Sequence, residues 1–115
     1  MKLLFGVALL AATLLGSCTK KEPGQVQAPL TGEALVSKGR AVYQTNCTAC
    51  HNADPKKSGP LGPEVFGASR ELLERRVVHG DYQAGYTPKR TSKVMVALPH
   101  LKNDLEALTA YLASP

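Results

Sequence analysis

The sequence is short of several things a globular chain usually has. It contains no tryptophan, two phenylalanines and four tyrosines in 115 residues. A core built from so few rings is thin for its size. Cysteine occurs three times, at positions 18, 47 and 50. There is no second cysteine pair to complete a zinc site, and His51, His79 and His100 stand singly and apart. A structural disulfide between Cys47 and Cys50 would close a very small loop and staple little. No strand–helix alternation surrounds this pair, so a redox dithiol lacks its usual setting. The net charge is +5, but the basic residues are scattered. That pattern describes a soluble surface, or steering towards an acidic partner, and not a nucleic-acid groove. Internal repeats and convincing strands are both missing.

What the chain does have is Cys47-Thr48-Ala49-Cys50-His51. A Cys-x-x-Cys-His run is a c-type haem attachment site. Two thiols three positions apart on one turn can each add to one of the two vinyl groups on a haem edge. The histidine that follows is then placed beneath the ring, where a ring nitrogen can bind iron. A covalent haem would also supply the apolar area that the side chains lack.

The first 17 residues read as a leader. Lys2 gives a positive start, Leu3 to Leu15 is an almost unbroken apolar run, and Gly16 and Ser17 are small. The run is short for a membrane span and suits a signal-peptide core. Leu15-Gly16-Ser17-Cys18 resembles a bacterial lipoprotein box, with cleavage before Cys18 and a lipid on its thiol. The alternatives are ordinary secretion with a free Cys18, or an uncleaved anchor. Residues 18–30 are polar and hold Pro23, Gly24 and Pro29, so they read as a flexible linker from lipid to domain. The folded domain is expected over 31–115. With one cysteine assigned to lipid and two to haem, none remains for a disulfide.

Within that domain the spacing predicts helices. Thr31 is a candidate cap and Glu33 suits a first turn. Leu35, Val36, Gly39, Val42 and Tyr43 then recur at helical spacing up to Cys47. A glycine inside a helix costs about 1 kcal/mol against alanine, so Gly39 suggests another helix passing close by. Asn52 to Pro63 is loop, with Lys56 and Lys57 in solvent and Val65 and Phe66 against the haem. Ser69 is placed to cap a second helix, striped by Leu72, Leu73, Val77 and Val78 and ending near His79-Gly80. Gly80 to Pro99 has no strong periodicity and reads as a structured loop. Asn103 or Asp104 opens the last helix, with Leu105, Leu108, Tyr111 and Leu112 inward. The expected class is all-α: three to five helices wrapped around one covalent haem.

These residues together resemble the class I mono-haem c-type cytochromes, in the bacterial lipoprotein form. The resemblance runs from about Thr31 to Ser114. It rests on Gly39 and Tyr43 before the Cys47–His51 run, on Gly62-Pro63-x-Val65-x-Gly67, on a late methionine, and on the closing Ala110-Tyr111-Leu112. It implies that the first and last helices cross near Gly39. It also implies that Pro63, or alternatively Pro60, presents its carbonyl to the second nitrogen of His51, holding the ring and raising its basicity. For the sixth iron position it implies Met95, the sole methionine after Met1, whose thioether favours ferrous iron and raises the potential. Val96 follows Met95, where the family commonly has proline. His100 is the rival ligand and His79 a weaker one; as a bare residue, Met95 could equally fill a gap in the core. Tyr82, Tyr86, Arg90 and Lys93 are candidates for the haem propionates, or simply loop residues in solvent.

The function expected is electron transfer and not catalysis. The carrier would be exported and tethered to a membrane through Cys18, facing the periplasm or the cell exterior. It would serve membrane oxidases or reductases as redox partners. The alternative is a haem c protein with an open or His-ligated distal site, acting in gas binding or as a subunit of a redox enzyme.

Overall fold

The computed structural model describes residues 28–114; the leader, Cys18 and the first part of the linker lie outside the described residues. The first helix, α1, spans Gly32–Asn46. Thr31 sits at its N-cap with extended backbone, but its hydroxyl makes no capping bond, contrary to expectation. Glu33 in the first turn is left to answer the positive helix end. The last helix, α3, spans Leu105–Leu112 and lies across α1. Gly39 is buried at the crossing, where any Cβ would collide with the Ala107 carbonyl and Tyr111 Cβ. One turn later Tyr43 is buried against Tyr111, with ring centres 5.5 Å apart and planes tilted by 51°. At the rim, Lys38 Nζ meets Asp104 Oδ1 at 2.7 Å and the Arg40 guanidinium lies 5.7 Å from the Tyr111 ring. Such exposed contacts add little beside the packing of the two helices.

The second helix differs from the expected single α-helix. Ser69 does cap it: its Oγ accepts from Leu72 N at 3.1 Å. After α2, Arg70–Leu73, the chain continues as a π-helical stretch, Glu74–His79. The two apolar doublets, Leu72-Leu73 and Val77-Val78, are offset by five residues, the step over which a π-helix bonds. Leu73, Val77 and Val78 are buried and Leu72 is half-buried.

The segment before α3 also departs from the sequence reading. Pro99–Asp104 forms a 3₁₀ helix, so regular structure begins earlier than Asn103. Its Leu101 is buried in the same core, while Asp104 makes no side-chain cap. Tyr43, Leu105, Leu108 and Leu112 are the most deeply buried side chains. Truncating such a leucine to alanine costs about 2–5 kcal/mol. No strand occurs among the described residues, and the domain is a small all-α fold. Its helices and the two long loops leave a concavity lined from α1, α2 and α3.

Candidate functional site

The concavity is a cleft of about 420 Å³ with mostly apolar walls. One wall grows directly from α1. Cys47 N bonds to Tyr43 O at 2.9 Å, and His51 N bonds to Cys47 O at 2.9 Å, so the turn prolongs the helix. Cys47, Cys50 and His51 all line the cleft. The following loop folds back on this turn: Leu61 N and Gly62 N both donate to Cys50 O, at 3.2 and 2.9 Å. Gly62 thereby lies flat on the imidazole. A Cβ there would come within 2.5 Å of His51 ring atoms.

His51 is buried, and its Nδ1 lies 2.8 Å from Pro63 O. A carbonyl can only accept, so Nδ1 carries a proton, and in the neutral ring Nε2 is the nitrogen with the lone pair. Tyr43 supports the same loop from below, its hydroxyl donating to Asn52 O at 2.6 Å. Burial, with the neighbouring Cys47 second, pushes the Tyr43 hydroxyl up to about 12. Burial, with Cys50 second, pushes the Cys47 thiol up to about 11. A redox dithiol wants a lowered thiol, so this environment does not suit one. No cluster of three or more metal-binding side chains occurs among the described residues, which leaves a zinc site without its ligands.

The opposite wall is the segment between Gly80 and Leu98. It has no regular structure. Met95 is half-buried, packs against the core and lines the cleft. His79 and His100 are exposed and do not line it. Tyr82 and Tyr86 stack at 5.1 Å, and both reach the cleft together with Arg90. Lys93 lies outside it, in an adjoining groove that Arg90 and Met95 share. Val65 and Phe66 line the floor, and Phe66 carries the Lys56 ammonium 4.8 Å from its ring centre. Pro60 is exposed, and the carbonyl that His51 Nδ1 meets is that of Pro63 instead.

The family model described as "Cytochrome c" matches residues 36–114. The chain belongs to the cytochrome c family. A curated protein from Synechocystis sp. (strain ATCC 27184 / PCC 6803 / Kazusa), described as "Cytochrome c-553-like", is 34% identical over 59 residues. The alignment covers 51% of each chain, so this chain spans about half the length of that relative. No solved structure matches the chain.

The cofactor of a cytochrome c is one covalent haem c with its iron, and the residues present fit it. The cleft is apolar, has the size of a small-molecule site, and brings both thiols and the free side of His51 to one wall. Gln83 Oε1 is buried on the same lining with no hydrogen-bond partner. A buried polar atom of that kind calls for a partner that the protein side chains do not provide. Gln83 was invisible in the sequence, where a lone glutamine in a loop carries no pattern. In the sequence Arg76 carries no signal beyond a positive charge late in a helix. It turns out to bond to the backbone nineteen positions away, which no local spacing reveals.

Proposed function

We propose that this cytochrome is an electron carrier with His51 below the iron and Met95 above it. When bound, the haem would supply one-electron chemistry, with His51 and Met95 as the residues that would hold its iron. The protein's part is to hold still. The Pro63 carbonyl fixes the His51 ring and its tautomer, and Gly62 lies against the ring face. Met95, on the opposite wall, would close the other side and exclude water. The observation that carries this reading is that Met95 shares the cleft with His51, whereas His79 and His100 do not. His100 stays exposed on the 3₁₀ helix.

The carrier works, in this reading, outside the cytoplasm, held to a membrane by lipid on Cys18. A tether of that length raises its effective concentration near membrane oxidases or reductases. The exposed Leu61, Phe66 and Val94 at the cleft, with Lys89 and Arg90 beside them, suit a partner that is apolar at its centre and acidic around it.

The test is the ferric spectrum of the holoprotein. A far-red sulfur-to-iron charge-transfer band is expected, and Met95→Ala should abolish it with the haem still attached. A high-spin ferric spectrum, or tight carbon monoxide binding by the reduced native protein, would favour ligand binding over electron transfer. Mass spectrometry of the mature chain checks the tether: a diacylglyceryl mass on Cys18 is expected.

A further inference from the structure

Arg76 occupies the π-helical stretch beside the cleft, and its guanidinium reaches two backbone carbonyls. Its Nη1 donates to Gly80 O at 2.8 Å, and its Nη2 donates to Met95 O at 3.0 Å. The face of the same group lies 5.0 Å from the Tyr82 ring centre. One side chain thus grips the segment where it leaves the helix and where it carries Met95. It also rests on a ring in between.

Elsewhere, and away from Met95, the segment is tied at its start by Asp81 N on Arg75 O, 3.1 Å, and in its middle by Lys89 on Glu64, also 3.1 Å. It has no helix or strand of its own, and its nearest backbone tie is Leu98 N to Val77 O at 2.6 Å. That carbonyl belongs to the last turn of the helix and has no partner within it. We propose that Arg76 is a positioning residue that clamps the Met95 segment onto the helix and so keeps the thioether over the open side of the iron. The proposal rests on Met95 being the ligand.

The geometry explains why arginine stands here. Its planar fork presents two donors at a fixed angle, which suits two carbonyls at once. A lysine has the charge but concentrates it at one point, and would satisfy one carbonyl at the expense of the other. The bond to Met95 O is partly buried, so water competes less for it than for the exposed bond to Gly80 O.

The decisive comparison uses ferric holoprotein in four forms: wild type, Arg76→Lys, Tyr82→Leu and Met95→Ala. Two readouts are taken on each, the affinity for added imidazole and the temperature at which the far-red band disappears. Circular dichroism follows the fold in parallel. Arg76→Lys keeps the charge but loses the fork. It should bind imidazole about tenfold more tightly, the factor one charge-assisted hydrogen bond is worth. It should also lose the band at a lower temperature than its helices. Tyr82→Leu leaves the guanidinium and removes its platform, and should tighten imidazole binding by about threefold.

A merely structural role would move band and fold together and leave the imidazole affinity unchanged. That result in Arg76→Lys, with the band present in wild type and absent in Met95→Ala, overturns the clamp alone. A wild-type spectrum without the band, unchanged in Met95→Ala, overturns the ligation and the clamp with it. If Arg76→Lys does not load haem, Tyr82→Leu decides: an imidazole affinity equal to wild type overturns the clamp.

Discussion

The two walls of the cleft are built differently. The wall carrying Cys47, Cys50 and His51 continues a helix and is locked by main-chain bonds. Tyr43 O, Cys47 O and Cys50 O each accept from backbone nitrogens in or near the turn. The wall carrying Met95 has no regular structure. Its main-chain bonds to the helix sit at its two ends, Asp81 N on Arg75 O and Leu98 N on Val77 O. Between them it is held by side chains, Arg76 on Met95 O and Lys89 on Glu64. Main-chain bonds survive most substitutions, because every residue but proline offers the same donor and acceptor. Side-chain bonds are lost with one codon. The histidine wall is therefore robust to most changes of side chain, and the methionine wall is where single substitutions should act selectively.

The largest effect should come from breaking the first wall where it does depend on a side chain, namely on having none. Gly62→Val drives a branched Cβ into the His51 ring. Overpacking of that kind costs about 3 kcal/mol. Thermal unfolding of the holoprotein should show it as a clear drop in midpoint, with a changed ferric spectrum. An unaltered spectrum and midpoint would mean that the loop can simply move away.

Tyr43→Phe is a gentler probe of the same wall. It removes the hydroxyl that donates to Asn52 O but keeps the ring packed on Tyr111. The loss should be about 1 kcal/mol in urea unfolding, the value of one partly buried hydrogen bond. The iron spectrum should be unchanged, because Cys50 O still holds the loop at Leu61 and Gly62.

The smallest effect belongs to the strap between the walls. Glu64 accepts from Ser58 Oγ at 2.9 Å and pairs with Lys89 at 3.1 Å, and Lys89 also donates to Glu64 O at 3.1 Å. The Glu64 carboxyl is held down to about 2, first by its own backbone N–H and then by Lys89 and Ser58. A depressed carboxylate adds stability above its ordinary value of 4.5, and that stability fades as pH falls towards about 2. Lys89→Gln should move the Glu64 titration upward, only part of the way, since the backbone bond remains. Carboxyl-carbon NMR would read it, and a midpoint still near 2 would remove Lys89 from the account.

The same contrast explains what could be read from the chain. The histidine wall was legible because its parts are adjacent: two thiols, an imidazole and a Gly-Pro pair within one short stretch. Gly39 was legible as a close approach, because a glycine amid Val36, Val42 and Tyr43 has no other excuse in a helix. The doublets Leu72-Leu73 and Val77-Val78 were seen as a stripe, but their five-residue offset was not taken as a wider helix. The 3₁₀ turn over Pro99–Asp104 was missed because its one buried contact, Leu101, has no periodic partner. Thr31 had the right residue type for a cap, yet its hydroxyl goes unused. Arg76 could not be found at all, since its partners are main-chain carbonyls and a carbonyl has no letter of its own.

The crossing at Gly39 has a consequence for the order of events in assembly. Its other half, Ala107, lies far downstream of Gly39 in the chain, so α1 is synthesised well before the helix that locks it. Throughout that interval Cys47 and Cys50 are already out while the cleft above them is unfinished. The thiols thus stand open to whatever modifies them before α3 arrives and shuts the door.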